Sequence, residues 1–356
     1  MITVNKAELI DALSATAGAI SSRPAITTLQ NVHVSISNMC MTLTATDLSI
    51  AISQSVDAQS ADCYKFAVDH AMFSKVVKSA VGEIELEVLD STVVIKSDGR
   101  KIKLPTISSA DYPEVVMDNA EVITECSAAE LSKMISNTVY ACHTMEQDVK
   151  NSLHFSFDDG VHITGTDGYR IATSNITCDT KRETSAMISA KHSESLSKAL
   201  AGKCNCTIAL SDTKMVVRTD YLCVMMMSLK NGTYPNIKPI INQTFNHEVN
   251  VISNRIMDGV KSALLISTES DFSMNFIFGK DLTIVSTSEH GDIEFKTGIE
   301  CDFELDAKFN TRFIHAIFSH IDDADVKFKI ILQGGGSFLL VEYSTGLAFV
   351  SGMRTV

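Results

Sequence analysis

No apolar run in this sequence approaches the roughly 18 residues that would span a bilayer. The start, Met1-Ile2-Thr3-Val4-Asn5-Lys6, lacks the basic opening and apolar core of a signal peptide, so a cytoplasmic location is expected. Nine cysteines are an odd number without a CxxC pair, which fits reduced thiols. The triplets at Asn175, Asn205, Asn231 and Asn242 match a glycosylation pattern, but without export they carry no meaning. Nor is basic charge in excess. The formal net charge is −13, which by itself argues against a nucleic-acid partner, whose phosphates need Lys and Arg.

Motifs for catalysis are missing as well. Asp158-Asp159-Gly160 and Gly334-Gly335-Gly336 read as hairpin turns and match no phosphate-cradling or dinucleotide-binding loop. Asp322-Asp323-Ala324-Asp325 follows a helix end without a partner at useful spacing, and reads as a solvated loop. Cys204 and Cys206 with His192 lack the second cysteine pair of a zinc site. His315 and His320, five apart, do not share a helix face. No Ser or Cys sits in a nucleophile elbow. The expectation is no active site, no metal and no cofactor.

What is present is repetition. Thr166-Asp167-Gly168-Tyr169-Arg170-Ile171 reads as strand, turn and strand, and Leu43-Thr44-Ala45-Thr46-Asp47-Leu48 echoes it 120 residues upstream. Ile284-Val285-Ser286-Thr287-Ser288 echoes it downstream, Thr287 lying 121 residues after Thr166. At that spacing each copy is a whole domain. Helical periodicity recurs with it, over 6–20, 128–142 and 254–267, with Ser127 and Ser253 as caps and Glu130 completing a capping box. A second set covers 69–81, 190–202 and 310–321, capped by Asp69, Ser189 and Asn310. Strand-like text lies between, including a hairpin over 92–106 turned by Asp98-Gly99. Tyr112-Pro113 and Tyr234-Pro235 close the first two copies. The spacing therefore predicts an α+β fold of three tandem two-helix, roughly eight-strand domains, at 1–121, 122–244 and 245–356. Three such units in a row leave a free sheet edge at each end, which a second chain placed head to tail could cover.

Charge is not spread evenly. The six helix windows are together net positive while the remainder is strongly negative, so the helices could face an anion. An imbalance this small is also what chance composition gives.

These stretches resemble the bacterial β sliding clamp, the processivity subunit of replicative DNA polymerase. Arg23-Pro24, the run from Lys103-Leu104-Pro105 to Tyr112-Pro113, Gln147-Asp148-Val149-Lys150, Phe309-Asn310 and Met353-Arg354 carry the likeness along with the repeated turns. The resemblance implies a non-catalytic DNA clamp fold: a homodimeric ring that encircles duplex DNA without reading its sequence. Polymerase and clamp loader would be held through short linear peptide motifs. By matching position Arg23, Lys78, Gln147 and Lys191 would face the DNA, and helix charge adds Lys198 and Lys261. A partner cleft is implied between Leu153, Thr166, Gly168, Tyr169, Arg170, Ile171, Pro235, Ile240 and Ile241 on one side and Asn310, Phe313, Phe338, Phe349, Val350, Ser351, Gly352, Met353 and Arg354 on the other. Ile102 and Leu104 would meet Leu265 and Ile266 of a second chain. The competing class is an enzyme built on a repeated α+β fold, which predicts a clustered acid/base set that the sequence does not offer; the other alternative is a clamp-like scaffold that never loads on DNA. Where the family commonly ends Met-Pro-Met-Arg-Leu, this chain reads Ser351-Gly352-Met353-Arg354-Thr355-Val356, and Pro239 stands where Arg is often found. Gly352 in place of proline is expected to loosen the segment, and Ser351 to remove an apolar contact. Such departures suit a divergent or phage-encoded member with its own polymerase.

Overall fold

The computed structural model describes the chain except for residues 22–25, 61, 116–119, 145–148, 229–231, 269–270, 335 and 354–356. Among the described residues one element order occurs three times. The first copy is β1 (Ile2–Val4), α1 (Lys6–Thr16), β2 (Asn31–Ser37), β3 (Cys40–Thr46), β4 (Ile50–Gln59), β5 (Tyr64–Asp69), α2 (His70–Ser79), β6 (Ile84–Val88), β7 (Thr92–Ser97) and β8 (Arg100–Ser108). The second is β9 (Glu121–Ser127), α3 (Ala128–Val139), β10 (Ser152–Phe157), β11 (Val161–Thr166), β12 (Arg170–Ile176), β13 (Thr184–Ser189), α4 (Ala190–Leu200), β14 (Asn205–Leu210), β15 (Lys214–Arg218) and β16 (Leu222–Met227). A short helix, α5 (Lys238–Ile241), precedes the third copy. That copy is β17 (His247–Ile252), α6 (Ser253–Ile266), β18 (Ser273–Phe278), β19 (Thr283–Ser288), β20 (Gly291–Lys296), β21 (Leu305–Asn310), α7 (Thr311–Phe318), β22 (Asp325–Gln333), β23 (Gly336–Tyr343) and β24 (Gly346–Ser351).

The helix starts follow side-chain chemistry. Asn5, Asp69, Ser189 and Asn310 each accept a backbone N–H from the first turn of the helix that follows. Ser127 does the same for Glu130. Ser253 does not. It is the first helical residue rather than the cap, drawn in by its N–H bond to the Ala324 carbonyl, and its buried hydroxyl has no partner among the described residues. The Asp98-Gly99 turn has positive φ at both residues (45° and 71°), as a two-residue hairpin requires.

The chain divides into two compact units, residues 1–132 with 178–230, and residues 133–177 with 231–356. In the first, β1 pairs with both β6 and β4, so the eight strands of the first copy close on themselves. Helices α1 and α2 pack together over that sheet, and α4 lies against α1. The core there holds Leu9, Leu13, Val34, Leu43, Phe73 and Leu86. In the second unit α6 packs on α7 and on β19 and β20, over a phenylalanine-rich core of Phe276, Phe278, Phe309 and Phe328. No helix among the described residues is long and apolar enough to cross a membrane.

One strand connection recurs. In the first unit β4, the third strand after α1's own strand, pairs antiparallel with β16, the last of the next copy, setting Ile50 opposite Met226. In the second unit β12 pairs with β24 in the same way, setting Arg170 opposite Val350.

Candidate peptide-binding site

The Thr-Asp turn between β11 and β12 positions the site. Thr166 Oγ1 donates to the Arg170 carbonyl at 2.7 Å and accepts the Gly168 N–H at 3.1 Å. Asp167 Oδ1 accepts the N–H groups of Tyr169 (2.9 Å) and Arg170 (3.0 Å). The first copy builds the same turn from Thr46, Asp47 and Leu48. There Leu48 holds a left-handed φ of 75°, where the second copy has Gly168 at 94°.

Asp167 then does something its counterpart does not. Its Oδ2 accepts Arg170 Nε at 2.9 Å, and the guanidinium lies 4.5 Å over the Phe313 ring and 5.8 Å from the Tyr140 ring. Asp47 Oδ2 instead lies near Lys191 Nζ (3.5 Å) and His192 Nε2 (3.6 Å) on α4. Burial would push the Asp47 carboxyl up, but hydrogen bonds from His192 and from the Ile50 and Ser49 amides outweigh it and hold Asp47 well below the usual range.

Register on β12, β23 and β24 turns one set of side chains outward. Ile171 lies opposite Phe349, and Phe349 opposite Leu340. These three are buried, with Ile237, Ile241, Phe245, Phe338 and Leu347 half-buried around them. Phe338 stacks on Phe349 with ring centroids 5.7 Å apart. Tyr169 stands 65% exposed beside this apolar surface. Its carbonyl accepts both the N–H and the hydroxyl of Ser351, each at 2.9 Å. Tyr234 fixes the segment that leads to α5: its hydroxyl donates to the Thr164 carbonyl at 3.0 Å and its ring stacks on His154. Burial raises its hydroxyl far above the ordinary value. Tyr112 stacks on His33 in the first copy in the same manner, and burial pushes it up to about 12.

Several expected site residues take other places. Val350 points to the opposite face and is buried in the core of the third copy, because side chains alternate along β24. Leu153 is fully buried and stands outside the apolar cluster. Leu104 is buried in the first copy's core, with half-buried Ile102 packed against it. Asn310 spends its side chain on capping α7. Pro235 and Ile240 are exposed, and Gly168 is too. Gly352 is not loose: its N–H donates to the Ser337 carbonyl (2.6 Å), and the next N–H, of Met353, donates to the Lys308 carbonyl (2.8 Å). An added Cβ at Gly352 would lie 2.6 Å from the Ser337 oxygen. Arg23, Gln147 and Arg354 lie outside the described residues. Lys78, Lys191, Lys198 and Lys261 are exposed on α2, α4 and α6. Leu265 is 85% exposed on α6 and Ile266 is half-buried.

Ile237, Phe245, Leu340 and Leu347 were not among the expected residues. The alternation Phe338-x-Leu340 and Leu347-x-Phe349 carries the last two, once register is known. At the β10–β11 turn, carboxylate oxygens of Asp158 and Asp159 both lie within hydrogen-bond distance of His162 Nε2 (2.8 and 2.7 Å).

A thrice-repeated two-helix, eight-strand unit, with a separate apolar cluster on β12, β23 and β24, defines a clamp-type protein. The profile of the DNA polymerase III beta subunit N-terminal domain matches residues 1–117, and that of its central domain residues 125–236. The chain belongs to this family, the bacterial β sliding clamps, which are non-catalytic processivity subunits. It is 23% identical to the beta sliding clamp of Chlamydia pneumoniae over 99% of this chain and 98% of that one. Against the beta sliding clamp of Bacillus subtilis it is 21% identical over 75% and 74%. In fold it is similar to the DNA polymerase III beta subunit of Thermotoga maritima (TM-score 0.91, 19% identity, all of both chains). The Bacillus subtilis clamp structure gives a TM-score of 0.90 at 20% identity over 100% and 99% of the two chains.

Proposed function

We propose that this clamp acts as a head-to-tail homodimeric ring around duplex DNA, built from repeats at 1–121, 122–244 and 245–356, in the cytoplasm. It would tether the replicative polymerase, and exchange it with the clamp loader, through short peptides seated on the Ile171–Phe349 cluster. One small apolar site of this kind typically binds at micromolar strength, about −8 kcal/mol. That allows exchange.

The observation that carries the ring is the strand connection made twice and left open once. By position in the repeat, the third connection would join β20 to β8. Among the described residues β20 is the edge of its sheet, and the Arg100–Pro105 part of β8 is paired only with β7. Carrying the register of the first two connections onto these strands sets Gly291 opposite Leu104 and Ile293 opposite Ile102. It also sets Asp292 opposite Lys103 and Glu294 opposite Lys101. All four charged residues are exposed, and opposite charges facing across strands stabilise pairing. Leu265, so exposed in one chain, would be covered near this seam. Leu104 would contribute backbone, and Ile102 its side chain.

The lining would be the exposed Lys78, Lys191, Lys198 and Lys261, with Arg23 and Gln147 by resemblance. A sparse set of phosphate-directed charges attracts DNA without fixing a register, and the negative remainder of the chain discourages DNA elsewhere.

Charge reversal tests the seam. Lys101→Glu with Lys103→Glu is expected to sediment as a monomer, and adding Asp292→Lys with Glu294→Lys should restore the dimer. A double reversal that still sediments as the wild-type dimer would refute the proposed register.

A further inference from the structure

Nothing in the clamp reading uses the sulfur chemistry of the second repeat. Cys126 on β9 and Cys206 on β14 are direct partners across an antiparallel pair. Their sulfurs lie 3.7 Å apart. Directly opposed residues in such a pair have Cα atoms about 4.5–5.5 Å apart, inside the 4.4–6.8 Å span a disulfide accepts. The two thiols therefore need side-chain rotation and no backbone movement to join. Cys126 is half-buried and Cys206 buried, and both line an open pocket of about 500 Å³ shared with Glu125, Arg218 and Asp220. A small oxidant can enter there. Cys178 is close by, with its sulfur 3.2 Å from Thr124 Oγ1.

We propose that Cys126 and Cys206 are a redox modification site that peroxide converts to a reversible cross-strand disulfide. The Cys206 sulfur attacks hydrogen peroxide; the O–O bond breaks, a sulfenic acid forms and one water leaves. The Cys126 sulfur then attacks that sulfenic sulfur, and hydroxide departs with the Cys126 proton as a second water. Two thiols and one peroxide become one disulfide and two waters. A dithiol reductant reverses the step by exchange. The electrostatics agree with the order of attack: the contact between the two sulfurs, with burial, holds the Cys126 thiol up, while the same contact holds the Cys206 thiol down. The bond would tie β9 to β14 across 80 positions of chain, which removes freedom from the unfolded state.

The test is peptide mapping of the full-length protein after reduction, removal of reductant and treatment with hydrogen peroxide. Expected are a linked Cys126–Cys206 peptide pair, loss of two of the nine thiols, and recovery of both with dithiothreitol. Peroxide should raise the melting temperature of the wild type but not of Cys126→Ser or Cys206→Ser. Oxidation confined to the exposed Cys63 and Cys204, a bridge from Cys206 to Cys178, or over-oxidation of Cys206 without a bridge would each overturn the proposal. The wild-type map decides even if a variant folds poorly.

Discussion

Asp47 and Asp167 cap the same turn with one oxygen and spend the other differently. Asp167 turns back on Arg170 and sets it over Phe313; Asp47 reaches across to α4. The difference has a pH consequence. A carboxyl held below its unfolded value contributes stability that is present above that value, near 3.9, and is lost as pH falls through the folded one. The wild type is therefore expected to lose more stability than Asp47→Asn as pH drops from about 5 to 3, read by urea melts at each pH. Equal losses would show that Asp47 is not held down. At this scale the sequence is legible where chemistry is local: Thr166, Asp167 and the Tyr234 closure all do what their repeated positions suggest. It is not legible where facing matters. Val350 and Phe349 are neighbours of similar hydrophobicity, and only pairing tells which one enters the core.

Helix existence follows from caps and periodicity, and so do the hairpins. Three element-level points do not. Ser253 looks like a cap, yet the strand before it runs straight into the helix. The four-residue α5 is too short to show a period, although it carries Ile241 into the apolar cluster. The end of β24 is the third. Without proline, the sequence reads the Ser351–Met353 segment as loose, but the missing Cβ at Gly352 is what lets it close onto Ser337 and Lys308. Gly352→Ala should therefore displace this strip from the Tyr169 carbonyl side of the site. A fluorescent peptide from the cognate polymerase that binds the wild type is expected to bind at least about tenfold more weakly, a loss of 1.4 kcal/mol or more, while the melting temperature shifts little. Unchanged peptide affinity would remove the segment from the binding surface.

For the whole molecule, net charge and topology pull in different directions. At a net charge of −13, the local attraction of a few exposed lysines is too little to retain DNA by itself, so retention would depend on enclosure. The twice-made strand connection supplies the means, since two copies already hold four such joints and two more between them would close a ring of six repeats. Enclosure leaves one signature that affinity cannot imitate. Protein loaded by the clamp loader onto nicked circular DNA and separated from free protein should stay bound through a wash in moderate salt. Cutting the circle once should release it within the time of sliding to an end. Equal retention on circular and linear DNA, or loss from both at the same rate, would contradict a ring.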